Sequence, residues 1–575
     1  MNRIEHQRSL LSACRIAAAG GIGRGKQWTL LLLALASTPR GEGGTLMVKR
    51  LLTHPRILTD TGRPLDGVDA ILVDDGRIAA LGSRHDLRAA HPGVPELALP
   101  GAVLVPGFHD AHIHSGNVAR GLASFDLRAA DTLQDALDVL RAHLDAHPGD
   151  GWVTGGRWDS NRWPTGVPTR HDLDAVCADR PLALPSLDGH SIWLNTLALE
   201  LAGIDRSTPD PVGGDIARES DGATPAGVLR ETAVDPVREL SEREQDAALP
   251  ELLLRAQAHL HSLGLTRLTD LDEQPTREAF EALRADDRLR IRVHKGTPMP
   301  DLERAIAEGR RTGAGDRWIT EGPVKLFSDG ALGSHSAHMH ADFADDPGNR
   351  GIEVMTVEQI ADHVARANAA GLAVATHAIG DEANRRVLDA YERNVALTRE
   401  RGLRNRIEHA QHLIHEDLRR FAPLGVVASL QPLHCTTDFE LAGRRIGERR
   451  LANYAWRSFL DSGAILAFGS DAPIEPADVL AGIRAAVTRQ RADGAPAGGF
   501  EPEERLTAGE ALAAYTSGAA LAAGLEGSAG RVAIGCDADF VALGADPTTV
   551  DPAEIAGIAI AGTIVDGEVV FAPGG

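Results

Sequence analysis

Two histidines, His112 and His114, close the run Pro106-Gly107-Phe108-His109-Asp110-Ala111-His112-Ile113-His114. On an extended chain, residues two apart point to the same side. Two imidazoles placed that way suit a single metal ion. Chance also produces such a pair in a chain with 23 histidines, so the pair alone decides nothing. Four later segments carry the same kind of chemistry after an apolar run: Val324-Lys325-Leu326-Phe327, Ala375-Thr376-His377, Ile407-Glu408-His409 and Phe468-Gly469-Ser470-Asp471. Imidazole and carboxylate donors of this type hold divalent ions such as zinc. Lys325 stands out by composition, because only four of the 59 basic residues are lysine, at positions 26, 49, 295 and 325. Arginine keeps its charge in a protein, whereas a buried lysine can lose its proton. A neutral lysine amine can add CO2 and become a carbamate, an oxygen donor for metals. Arginine-rich codon usage explains the count equally well until Lys325 is placed in a fold.

Placing these residues together requires elements that end near one another. The middle of the chain alternates apolar strands with helical patterns. Eight strands are expected, ending near Phe108, Asp270, Lys295, Phe327, Thr376, Glu408, Leu430 and Gly469. Helical periodicity over residues 251–263, 357–370 and 381–399 separates several of them. This alternation predicts an α/β fold, a (β/α)8 TIM-type barrel. In that fold the C-terminal strand ends converge on one face, where the donor-bearing segments would meet. The stretch between the first and second strands is too long for one crossover. Strand signals at Trp152-Val153-Thr154, residues 181–186 and Gly214-Asp215-Ile216 predict an inserted subdomain at about 150–240. Residues 47–104 and 525–575 read as short strands with tight turns such as Asp75-Gly76. The two ends are expected to build one small β-sandwich domain, with the barrel occupying residues 105–524. Residues 1–46 read as an extension, disordered or from a misassigned start, with Met47 opening the folded part.

Bulk properties narrow the class. A chain of 575 residues exceeds a usual single core. A net charge of -22, with no basic stripe, argues against nucleic acid as a partner. Cys14, Cys177, Cys435 and Cys536 lie far apart and form no CxxC pair. They indicate neither a disulfide framework nor a thiolate zinc site, which suits a cytoplasmic protein. The apolar run from Trp28 to Ala36, preceded by Arg24 and Lys26, outlines a secretory signal as the alternative. It is too short to span a membrane. The expected partner is a small-molecule substrate, with no nucleic acid and no membrane, and a homodimer is the expected assembly.

The motifs PGFHDAHIH, VKLFSDGALGSHSA, ATHAIGDEAN, RIEHAQ, SLQPLH, FGSDAPIEP and LTAGEALAAYTSGAA span most of the chain. Together they resemble the metal-dependent amidohydrolase superfamily, specifically the amidohydrolase 3 (YtcJ-like) family, which includes N-substituted formamide deformylases. The resemblance covers about residues 47–575. It implies that His112, His114 and Asp471 hold one metal, that His377 and His409 hold a second, and that a carboxylated Lys325 bridges them. The implied cofactors are two Zn2+ per chain and a CO2-derived carbamate on Lys325. The implied reaction is cleavage of a non-peptide C–N bond, of amide or formamide type, by a metal-activated hydroxide, with Asp471 as general base and then acid. A deaminase, or a hydrolase of cyclic amides or esters, is the alternative on the same scaffold. A non-catalytic relative is disfavoured, because the donor set is intact. His190, Asp329, Gln431, His434 and Trp158 are the candidate substrate-binding residues, with Trp158 and Trp163 expected at a substrate mouth or packed in the insertion. His335 stands where the family carries arginine. His109 stands where it carries an apolar residue or asparagine, and is read as a partner supporting the ligands or, in preference, an unrelated surface feature. Cys435 beside His434 is discounted as a nucleophile, on the reading that adjacent strand residues face opposite ways.

Overall fold

The computed structural model describes residues 49–574 apart from 161–162, 187–190, 212–213 and 334. The expectations for residues 1–46, including the run from Trp28 to Ala36, and for His190 therefore lie outside the described residues. One parallel sheet holds eight strands in sequence order. They are β1 (Phe108–Ile113), β2 (Leu265–Asp270), β3 (Arg292–Pro298), β4 (Ile319–Phe327), β5 (Val374–Ala378), β6 (Arg406–His409), β7 (Val427–Leu430) and β8 (Ile465–Phe468). The chain after β8 returns to β1: Asp471 N–H donates to the His112 carbonyl at 2.7 Å, and His114 N–H donates to the Ala472 carbonyl at 2.9 Å. Those two bonds close the circle at the C-terminal strand ends and give the (β/α)8 TIM-type barrel.

The local sequence explains these elements. β7 is buried along its whole length, as strands covered on both faces must be. The helix Val357–Ala369 buries Ile360, Val364 and Ala367, a spacing that keeps one face on the barrel. Thr356 and Gln359 form its capping box and satisfy its first backbone N–H groups. Asp381 and Glu382 sit in the first turn of the helix Asp381–Glu400, where the helix dipole favours negative charge. At Gly469, a Cβ atom would lie 2.4 Å from the His112 backbone nitrogen. Only glycine therefore lets the chain after β8 approach β1 closely enough to close the barrel.

β2, β4 and β7 end where the sequence predicts, at Asp270, Phe327 and Leu430. β1 differs, because Phe108 begins it rather than ends it. Pro106-Gly107 is a crossing between two sheets. Val103–Pro106 pairs antiparallel with Phe540–Leu543, and the chain enters the barrel immediately afterwards. β3 and β5 each run past their expected ends, to Pro298 and Ala378.

The two chain ends form a small β-sandwich. One four-stranded sheet contains Arg50–Thr53, Ala70–Asp74, Arg77–Gly82 and Glu96–Ala98. The other joins Val103–Pro106 to Phe540–Leu543, Ile560–Val565 and Glu568–Phe571. Leu52, Ile71 and Val73 from the first sheet share a core with Leu104, Phe540 and Ile564 from the second. Asp75 and Gly76 have φ of 49° and 66°, the left-handed pair that a two-residue hairpin turn requires. Between β1 and β2, a separate five-stranded sheet forms the inserted subdomain, with Val153–Thr154, Leu182–Pro185, Ser191–Leu194, Gly214–Arg218 and Pro225–Glu231. Among the described residues, no helix is long and apolar enough to cross a membrane.

Candidate metal centre

Barrel closure brings the ends of β1 and β8 together and sets the first contacts. His112 Nε2 lies 3.3 Å and His114 Nε2 lies 3.4 Å from Asp471 Oδ1. β5 and β6 supply the facing rings. His377 and His409 have ring centroids 4.5 Å apart, and His409 and His112 are 5.0 Å apart. Donor atoms of His112, His409 and Asp471 all lie within 4.8 Å of one another. Lys325 on β4 is 3 % exposed and registers beside Ala375, two residues before His377. Its Nζ sits 5.0 Å from the centroid of the Phe327 ring. Five strand ends thus bring all six predicted donors to one face.

Backbone conformation marks the same positions. His409 and Asp471 have φ of 75° and 60°, the left-handed region that disfavours residues with a Cβ. Each such residue costs roughly 1–3 kcal/mol, and such conformations cluster where function requires them.

Each imidazole has a partner for one nitrogen, which leaves the other for a cation. His112 Nδ1 is 2.6 Å from Glu408 Oε2, and His114 Nδ1 is 2.9 Å from Asp272 Oδ1. His409 Nδ1 is 2.9 Å from Gln431 Oε1, and His377 Nε2 is 3.1 Å from the Gly330 carbonyl. Glu408 is itself held by Arg406 and by the Ser429 hydroxyl, which donates at 2.7 Å.

Charge in the site follows from burial and neighbours. Burial, reinforced by Lys325, holds His377 at about 3. Burial, and then His377, holds His409 well below the usual histidine range. Both rings are therefore neutral, the form that binds metal. Burial opposes a charge on Asp471, but His112, His114 and His434 outweigh it and keep the carboxylate ionised. Burial likewise opposes a charge on His114, yet its hydrogen bonds to the Asp272 and Asp471 carboxylates lift it to about 9. Burial lowers the Lys325 ammonium, while Glu408 and Asp471 resist. Neutral His377 and His409, facing the ionised and buried Asp471 carboxylate, make a donor set that fits a divalent cation.

The other predicted residues separate. His434 Nε2 lies 3.2 Å from Asp471 Oδ2, and Gln431 supports His409. Asp329 accepts backbone N–H bonds from His338 and Gly380 at 2.9 and 2.8 Å, and lies 3.4 Å from His377 Nε2. Burial outweighs those bonds and raises its carboxyl to about 7. Trp158 does not line a substrate mouth. It is 4 % exposed, packs among Trp163 and Trp193, and donates its indole N–H to the Leu184 carbonyl at 2.7 Å. His109 is not a surface feature either. It is buried in β1, with Nε2 3.0 Å from the Thr269 hydroxyl. His335 pairs with Asp345 at 3.1 Å. His434 and Cys435 lie on the helix Pro432–Ile446, not on a strand. Cys435 is inert for a different reason, since burial pushes its thiol up to about 12.

Asp272 and Glu408 escaped assignment from sequence. Each is separated from its histidine by a long stretch of chain, 158 residues for Asp272 and 296 for Glu408. The available signal was the Asp270-Leu271-Asp272 pair at a barrel strand end, together with the acid inside Arg406-Ile407-Glu408-His409.

Residues 96–571 match the amidohydrolase family. The chain belongs to that family. It is 33 % identical over 516 residues to YtcJ of Bacillus subtilis (strain 168), covering 88 % of this chain and 96 % of that one. It is 31 % identical over 521 residues to the N-substituted formamide deformylase of Arthrobacter pascens, covering 87 % and 94 %. The crystal structure of an uncharacterized metal-dependent hydrolase from Pyrococcus furiosus superposes with a TM-score of 0.72 at 28 % identity, covering 87 % of this chain and 100 % of that one. A short match at residues 70–93, within the β-sandwich, is to the imidazolonepropionase-like composite domain of bacteria.

Proposed function

We propose that this amidohydrolase cleaves a non-peptide C–N bond, of amide or formamide type, in a small molecule. The observation that carries the reading is the position of Asp471. One carboxylate oxygen faces His112 and His114 at 3.3 and 3.4 Å, and the other faces His434 at 3.2 Å. Two divalent ions, zinc by donor chemistry, held by His112, His114, His377, His409, Asp471 and a carboxylated Lys325, would supply an acidified water and a polarised carbonyl. Asp471 takes the proton of the attacking water and returns it to the departing nitrogen. His434 holds the second oxygen of that carboxylate, so the oxygen that moves the proton stays aimed at the site. Gln431 and Glu408 keep His409 and His112 in their donor orientations. The likeness to an N-substituted formamide deformylase supports a C–N bond as the target.

A second reading rests on the compact trio of His112, His409 and Asp471, which would suit a single cation. Lys325 would then remain a plain amine, and deamination would be the expected chemistry. A panel of N-formyl and N-acyl amines, run beside amino-heterocycles, cyclic amides and esters with zinc and bicarbonate present, separates the two. Free amine from the first group is the expected product. Ammonia from the heterocycles, with no amide turnover, would establish the second reading instead.

A further inference from the structure

The Asp270-Leu271-Asp272 pair and Lys295 lie beside the metal centre, yet none of them is a donor in the set above. Lys295, on β3, is fully buried and forms an ion pair with Asp270 Oδ1 at 2.8 Å. Its Nζ also donates to the Asp272 carbonyl and, at 3.3 Å, to the Gly296 carbonyl. A lysine ammonium has three donors, and here it meets three acceptors. A planar guanidinium could not reproduce that arrangement, so Lys295 is retained in a chain that otherwise favours arginine. The second oxygen of Asp270 accepts from the Ser115 backbone N–H at 2.9 Å and from the Ser115 hydroxyl. The ion pair therefore grips the residue that follows His114.

Asp272 completes the arrangement. Its Oδ1 faces His114 Nδ1 at 2.9 Å and accepts from Asn117 Nδ2 at 3.2 Å. Its Oδ2 accepts from the Gly116 N–H at 2.6 Å. We propose that Asp272 is a positioning residue for His114, and that the buried Lys295–Asp270 pair seats it. A carboxylate behind one ring nitrogen fixes the tautomer and strengthens the other nitrogen as a donor. The His114 Nδ1–H donates its hydrogen bond to the Asp272 carboxylate, which turns Nε2 toward the site before any cation arrives. The proposal rests on the reading of His114 as a metal ligand.

The test uses the full chain, with zinc(II) alone as the probe. Zinc dissociation is measured by competition with a chromogenic chelator, and melting is measured on the metal-stripped protein. Asp272→Asn keeps the size of the side chain and its acceptor oxygen while removing the charge. It should weaken zinc binding about 10–100-fold and leave the melting of the stripped protein unchanged. The balanced double variant Asp270→Asn/Lys295→Met removes the ion pair without stranding a charge and should weaken zinc binding in the same range. It decides the question if the single variant folds poorly. Parental zinc affinity in these variants would overturn the proposal, as would a zinc loss matched by equal destabilisation of the stripped protein. His114→Ala separates the two layers: if it binds zinc as tightly as the parent, the ligand reading itself fails.

Discussion

Lys325 shows how far a single residue can be read. Its rarity as a lysine was open to two explanations until β4 placed it buried beside His377 and His409, with no ion pair of its own among the described residues. Lys295 shares the rarity and the burial but is committed to Asp270. Of the two buried lysines among the described residues, Lys325 is the one without a carboxylate pair, as the proposed carbamate requires. Lys325→Arg should lose activity and metal, because a guanidinium cannot add CO2. Lys325→Ala should regain part of both when short carboxylic acids are supplied; zinc content and amine release at increasing formate concentration check this. Asp471→Asn should lower kcat about 10²–10⁴-fold, the range for removing a general base, read in amine-release assays at matched zinc loading. The donor residues were legible because strand ends announce themselves as apolar runs that break into a polar side chain. Asp272 and Glu408 were not, because an acid that meets its histidine only through the fold looks in sequence like any solvated acid. Trp158 misled for the opposite reason, since an aromatic beside polar residues reads as exposed until its indole finds a buried carbonyl.

At the scale of elements, the site depends on how strands approach one another. β8 can meet β1 only because residue 469 has no side chain. Gly469→Ala should disturb His112 directly, with a lower melting temperature and reduced zinc content measured together. Arg406 and Glu408 form a fully buried pair behind His112. Glu408→Ala leaves an uncompensated cation and should cost about 3–5 kcal/mol in denaturant unfolding. The elements themselves were largely visible in their periodicity. The first strand was the exception, because Pro106-Gly107 looks like a terminus whether the chain turns away or crosses into another sheet. Residues 251–263 likewise showed only the apolar end of the helix Asp235–Ser262, whose polar first half carries no such period.

Across the whole molecule, the sandwich is fastened to the barrel by charge. Arg267 on β2 and Arg292 on β3 are buried against Asp537 and Asp539, from the segment leading into the strand Phe540–Leu543. Burial opposes the Asp539 charge, but Arg292 and Arg267 outweigh it and hold its carboxyl below the usual range. A carboxylate depressed in the folded state stabilises it above the unfolded value of about 3.9, and that stability is lost as pH falls through the folded value. Acid should therefore lower the melting temperature of the parent more steeply than that of an Asp539→Asn/Arg292→Met double variant. The sequence showed that both ends join one sandwich through their matching turns, but not the ionic contact beneath it, since charge pairing leaves no period. Bound metal acts on the same fold by mass action: zinc at 100 times its dissociation constant should add about 2.7 kcal/mol to unfolding. Hydrolysis is expected to need the cations that this donor set fits. The most direct measurement is amine release from an N-formyl amine, with zinc content followed in parallel, as the protein is stripped by a chelator and reloaded with zinc and bicarbonate. Activity should vanish on stripping and return in step with bound zinc; a metal-free preparation that keeps full activity would contradict the account.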